Sequence, residues 1–101
     1  MTAARLVPSA RRDLLQATNW IAKDSPPAAL ALRESVARAA MTIGEHRHIG
    51  SLRPEIVGAP YRWMPLVGFP YVIVYNAERM PPRIVRILHA ARDLPEVLRD
   101  L

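Results

Sequence analysis

Residues 9–44 carry two apolar stripes at helical spacing with only a short break between them. In the first, Ala10, Leu14, Ala17 and Ile21 fall at i, i+4, i+7 and i+11, which is one face of a helix. Arg11, Arg12, Asp13 and Gln16 take the other faces. Ser9 is the expected N-cap, and the helix should stop near Lys23. In the second stripe Ala29, Leu32, Val36, Ala39 and Ile43 fall at i, i+3, i+7, i+10 and i+14. Ser25 is the expected cap here, with Pro26 at the first helical position, where its missing N–H costs nothing. Glu34 precedes Arg38 by four residues, a favourable order on a helix face. Gly44 is the expected C-terminal stop. Two helices this close in sequence pack as an antiparallel hairpin, and its apolar faces then need a second layer to bury them.

The rest of the chain supplies that layer. Ten prolines fall between periodic segments rather than in one tract, so they act as punctuation. Arg5, Leu6 and Val7 form a short extended piece ended by Pro8. Residues 46–60 are loop-like, with a short strand expected at Glu55–Val57. Tyr61–Val67 reads as a strand, broken by the turn signal Gly68-Phe69-Pro70. Tyr71–Tyr75 is all β-branched or aromatic, the composition of a central strand. Arg83–His89 fits either period, and its length and β-branching favour a strand. Asp93 with Glu96 three residues on resembles a capping box, opening a last short helix along Leu94, Val97, Leu98 and Leu101. The predicted class is α+β, in the order β-α-α-β-β-β-α. An antiparallel sheet is covered on one face by the helical hairpin.

At 101 residues, half of them hydrophobic, the chain is expected to form one domain over residues 1–101 with a single modest core. Its longest charge-free run, Trp63–Ala77, is 15 residues with Pro65, Gly68 and Pro70 inside it. A spanning helix needs roughly 20 apolar residues, so no membrane span is expected. The first residues carry no apolar run of the secretory kind, and the cytoplasm is the expected compartment. There is no cysteine, which removes disulfides, thiol catalysis and thiolate metal sites together. Thirteen Arg and one Lys against nine acids give a net charge of +5. Such a balance on a small chain suits an anionic partner, nucleic acid or an acidic protein segment, or simply a solvated basic surface. Arg forks onto carboxylate and phosphate in two parallel hydrogen bonds, which an ammonium does not.

Several strings in this order resemble the RelE/ParE family of bacterial type II toxins. They are Ala10-x-x-Asp13-Leu14 in the first helix, Tyr71-Val-Ile-Val-Tyr75 in the central strand, and Ile87-Leu88-His89-Ala90-Ala91-Arg92-Asp93 at the end of the last strand. The Leu-His-x-x-Arg-Asp string makes the ParE branch the closer likeness. The resemblance implies a toxin neutralised by a cognate acidic ParD-like antitoxin in a hetero-oligomer. ParE-type members are understood to poison DNA gyrase by binding rather than by catalysis. RelE-type members instead cut messenger RNA in the ribosome, and a non-toxic basic binding module is the third reading. No cofactor and no sequence-specific nucleic-acid contact is implied.

The two branches differ in chemical demand. Metal-free RNA cleavage must activate a 2′-hydroxyl, stabilise a charged phosphorane and protonate a leaving oxygen. The resemblance implies, for the nuclease branch, two basic residues before the central strand, an Arg within it, an Arg after the last strand and a Tyr or His near the C-terminus. Here Arg62 matches the first, but Met64 stands for the second, Val72 for the strand Arg and Leu98 for the terminal aromatic. Arg92 matches the Arg after the last strand. If the chain were a nuclease, Arg62, His89 and Arg92 would carry the reaction. The pattern is broken at three places, and no catalytic residue is the expectation.

For binding, Arg11, Arg12, Arg33 and Arg38 on the helix pair are candidates to attract acids of an antitoxin, by groove docking of a helix or by strand addition. Trp63, Met64, Phe69, Arg86, His89 and Arg92 are the target-contact candidates. The aromatic set as a whole (Trp20, Tyr61, Trp63, Phe69, Tyr71, Tyr75) suits core packing, and His89 suits a strand-end hydrogen bond. Glu45, His46 and His48 are the nearest approach to a metal cluster, but lack an assured third or fourth ligand, so no metal site is expected.

Overall fold

Pro8 rather than Ser9 opens the first helix. The computed structural model describes residues 2–91. Their elements run β1 (Arg5–Leu6), α1 (Pro8–Ala22), α2 (Pro26–Glu45), β2 (Tyr61–Pro65), β3 (Tyr71–Asn76) and β4 (Arg83–His89). The predicted last helix, with Leu98 and Arg92, lies outside the described residues.

Val7 is the N-cap of α1 and makes no side-chain capping bond. Pro8 takes the first position with its φ already preset for a helix. Ser9 is freed for tertiary use, and its hydroxyl donates to the Val85 carbonyl at 2.9 Å. At α2 the expectation holds, with the Ser25 hydroxyl accepting from the Ala28 N–H at 3.2 Å. Gly44 does not end α2, which continues to Glu45 with His46 as its cap. A Cβ at Gly44 would run into the Thr2 carbonyl oxygen and come within 2.8 Å of the Ala3 Cα. The glycine therefore serves the close crossing of the N-terminal segment over α2. Ala4 N–H donates to the Ala40 carbonyl at this crossing.

The sheet order is β1-β4-β3-β2. β2, β3 and β4 form the expected antiparallel meander, with Trp63 opposite Val74 and Ile73 opposite Ile87. β1 adds at one edge in parallel, Arg5 beside Arg83 and Leu6 beside Ile84. The register jumps between Val74, opposite Arg86, and Tyr75, opposite Ile84. Val85 is thus the extra residue of a bulge, a device that bends a strand and re-aims its side chains. Between β2 and β3, Gly68 takes a φ of +83°, which L side chains rarely adopt.

All five residues Tyr71–Tyr75 are buried, as in a strand covered on both faces. Tyr71, Ile73 and Tyr75 pack with Leu32, Val36 and Ile43 in the main core beneath the hairpin. Val72 and Val74 join Val57, Trp63 and Leu88 in a second cluster on the opposite face. Fully buried side chains such as Leu32, Ile43 and Ile73 each contribute about 1.5–3 kcal/mol. The strand expected at Glu55–Val57 is absent. The Ile56 and Val57 N–H groups both donate to the Arg53 carbonyl, making a turn. The ladder contact comes earlier, where Ser51 and Trp63 exchange both backbone hydrogen bonds at 2.8 Å. The turn then drops Val57 onto the second sheet face.

Candidate functional site

Three of the polar side chains weighed for chemistry or target contact, Arg86, Arg62 and His89, are used by the fold. Arg86, re-aimed by the bulge, meets Asp13 of α1. Its Nε and Nη2 groups donate to the two carboxylate oxygens at 2.7 and 3.0 Å, and the Ile87 N–H donates to the same carboxylate at 2.9 Å. Asp13 thus closes the edge of β4 beyond the point where β1 has ended. Arg86, one of the target-contact candidates, is thus a largely buried strut between helix and sheet.

Arg62 is half-buried, and its Nη1 group donates to the Gly50 carbonyl at 2.7 Å and the His48 carbonyl at 3.2 Å. The same loop is held from β3. Tyr75 is completely buried, its hydroxyl accepting from the Gly50 N–H and donating to the Arg47 carbonyl, both at 2.8 Å. Burial pushes the Tyr75 phenol above its usual pKa, partly opposed by the Gly50 N–H and the Arg62 charge. Residues 47–50 are therefore pinned by one phenol and one guanidinium.

His89 sits opposite Tyr71 across β3 and β4, their rings edge-to-face with centroids 5.3 Å apart. Its Nδ1 accepts from the Ala91 N–H at 3.2 Å, a local bond just past the end of β4. Arg92 lies outside the described residues.

Among the hydrophobic contact candidates, Trp63 is only 7 % exposed and belongs to the second cluster, with the Arg53 guanidinium 5.9 Å from its ring centroid. It is a core residue rather than a surface contact. Met64 and Phe69 are half-buried against the main core. The side chain that the turn does present is Val67, 93 % exposed beside Gly68. Val67 follows the last β2 residue by two and flanks the turn glycine, which is the signal that could have singled it out.

The four candidate cations on the helices are all exposed, but they do not form one patch. Arg11 and Arg33 share a groove of about 200 Å³ between α1 and α2 with Leu14, Leu15 and Thr18. Arg38 lines a different cavity, of about 280 Å³, against Met64, Leu66 and Val67. Arg12 lines neither. The sequence reading missed the large apolar side chains that the hairpin exposes, of which Leu15 shares the groove with Arg11 and Arg33. Leu15 is 60 % and Trp20 61 % exposed on α1, and Leu30 is likewise exposed on α2. Lys23 Nζ lies 5.0 Å from the Trp20 ring centroid. Both Leu15 and Trp20 fall off the Ala10–Ile21 stripe, and that departure was the available signal. No group of three or more His, Asp or Glu side chains gathers to hold a metal among the described residues, and Glu45, His46 and His48 are exposed. No helix among them is long and apolar enough to cross a membrane.

Residues 4–94 match the family described as the ParE toxin of the type II toxin–antitoxin system parDE. The chain belongs to the ParE toxin family. A structure of the chromosomal ParDE toxin–antitoxin system from P. aeruginosa has the same fold, with a TM-score of 0.71 over 88 % of this chain and 96 % of that one at 19 % identity. No curated protein matches by sequence.

Membership makes the toxin one half of a pair, and its partner is an antitoxin. That gives the exposed apolar side chains of the hairpin a context. An exposed leucine between two arginines in the hairpin groove suits an amphipathic partner, whereas the struts at Arg86 and Arg62 are already engaged inside the toxin.

Proposed function

We propose that this toxin acts by binding, poisoning DNA gyrase without cleaving a substrate itself, and that an acidic ParD-like antitoxin silences it. The observation that carries the non-enzymatic reading is what occupies the positions where RelE-type relatives hold their cations. Val72 is buried in the second cluster. Met64 is packed against the core. Arg62 matches a nuclease cation, but its guanidinium holds the 48–50 backbone. Charge stabilisation and proton transfer at a phosphorane need groups free to meet the substrate. These three positions offer apolar surface or a committed guanidinium instead.

The antitoxin's seat in this reading is the helical hairpin. Arg11 and Arg33 flank the groove between the helices, and Leu15 and Trp20 offer apolar anchors. Acids on the antitoxin would meet the arginines and steer its approach, while its apolar residues cover Leu15 and Trp20.

The test is induction of the toxin alone in bacteria, with a supercoiling assay on purified gyrase. The expected outcome is filamentation, an induced DNA-damage response and lost gyrase supercoiling. Prompt arrest of translation with cleaved messages and unaffected gyrase would place it with the ribosome-dependent nucleases. Unaffected growth would make it a binding module without toxicity.

A further inference from the structure

The parallel pairing of β1 with β4 sets two guanidinium side chains next to each other. Arg5 is directly opposite Arg83, and both are exposed. Like charges in that position repel. Arg11, from the first turns of α1, lines the same open groove of about 740 Å³ together with Leu6, Val7 and Pro8. The groove contains no carboxylate among its lining residues, and none of the three arginines has an ion-pair partner among the described residues. The N-terminus of α1 opens here as well. It has no acid in its first turn and no side-chain cap, so its positive dipole end adds to the field. Three guanidiniums and a helix N-terminus thus share one groove with no compensating acid among the described residues.

From this arrangement we infer that the Arg5–Arg11–Arg83 groove binds the phosphodiester backbone of duplex DNA, without regard to sequence. Guanidinium forks match phosphate oxygens in pairs, and a bound phosphate would relieve the repulsion between Arg5 and Arg83. The occupant is DNA rather than an acidic protein segment because the apolar lining residues Leu6 and Val7 are already packed against the main core and no protruding apolar anchor stands beside them. None of the large exposed hydrophobic side chains (Leu15, Trp20, Leu30, Met41, Ile49, Leu52, Val67, Met80) lines it. Protein interfaces rest on a few buried aromatic or aliphatic anchors, while non-specific DNA binding is supplied by charge alone. The inference does not rest on the gyrase reading, since it concerns the isolated toxin and DNA.

The experiment is fluorescence anisotropy of the purified full-length toxin with a short labelled DNA duplex of arbitrary sequence, titrated across salt. Binding should weaken linearly in log–log form, with a slope of about −0.9 per phosphate contact. R5Q/R83Q should flatten that slope by about 1.8 and weaken binding about tenfold or more at low salt, and Arg11→Gln alone should flatten it by about 0.9. R33Q/R38Q removes the same charge as the double variant from the other helix and should leave the slope unchanged. Circular dichroism checks that each variant is folded, and Arg11→Gln, on an exposed helix face, decides the matter if the strand variants are not. Three results would each overturn the inference: no duplex binding, equal loss in R33Q/R38Q, or capture of a polyglutamate peptide but not of duplex by this groove.

Discussion

Asp13 of α1 receives both forks of the Arg86 guanidinium and, on the same carboxylate, the Ile87 backbone N–H. The two residues are 73 apart in sequence, and they join the helical hairpin to β4 just past the end of β1. Only 11 % of the Asp13 side chain and 24 % of the Arg86 side chain is exposed, so water replaces little of what is lost on substitution. Asp13→Asn removes the charge from a pair and weakens three hydrogen bonds at once. It should destabilise the toxin by about 2–3 kcal/mol, read by chemical denaturation. Arg86→Gln should also destabilise, and the double variant should lose less than the sum, because the two changes remove one shared interaction.

The Tyr75 hydroxyl is the second long-range tie, and it has a pH signature. Burial raises its folded pKa above the unfolded value, so the folded state prefers the neutral phenol. The stability this contributes is complete below about pH 10, the unfolded phenol value, and is lost as pH rises through the folded one. Wild-type stability should therefore fall above about pH 10, by at most about 1.4 kcal/mol per pH unit from this group. Tyr75→Phe leaves the Gly50 N–H and the Arg47 carbonyl unpaired and should cost about 1–3 kcal/mol at neutral pH. It should also show a shallower alkaline decline than wild type in denaturation measured from neutral pH upward.

Gly50 is fixed by the same phenol. A Cβ there would lie 2.8 Å from both the Cε1 and the hydroxyl oxygen of Tyr75 and 3.1 Å from the Trp63 carbonyl oxygen. Tyr75 has no room to withdraw, being fully buried. Gly50→Ala should cost about 1–3 kcal/mol. Gly58 has nothing within 4 Å of a Cβ, so Gly58→Ala should be neutral or stabilising by up to about 1 kcal/mol through the unfolded chain. Paired melting curves of the two variants check the contrast.

The sequence carried most of the architecture because apolar spacing is decided locally. Every residue of the Ala29–Ile43 stripe is buried, and Tyr71–Tyr75 is the central strand its composition implied, although the cover on its second face was not foreseen. What it did not carry were the features set by long-range geometry. Ser9 looks like a cap until the Val85 carbonyl is brought beside it. Gly44 looks like a helix stop until Thr2 and Ala3 cross over it. Arg86 and Trp63 look available for a target because nothing in the string places Asp13 or Val57 against them. The bulge at Val85 and the parallel pairing of Arg5 with Arg83 leave no local signature either, yet they set which arginines are tied up and which are left together.

The hairpin surface separates neutralisation from folding. Leu15 and Trp20 are more than half exposed, although α1 already has Ala10 and Ala17 buried in the core. Replacing them with Glu therefore removes little native packing, and surface changes of this kind usually shift stability by no more than about 0.5 kcal/mol. The same change puts negative charge where an acidic partner has to bury apolar side chains. Trp20→Glu and Leu15→Glu should each weaken antitoxin binding by at least about tenfold, the loss of roughly 1.4 kcal/mol or more that an interface anchor carries. Arg33→Glu should act chiefly by slowing association, with an effect that fades as salt rises. Val67→Glu, on the β2–β3 turn, should leave antitoxin affinity unchanged. Binding kinetics with the immobilised antitoxin across two salt concentrations measure all four. Equal loss for Val67→Glu and Trp20→Glu would move the antitoxin's seat from the hairpin to the turn.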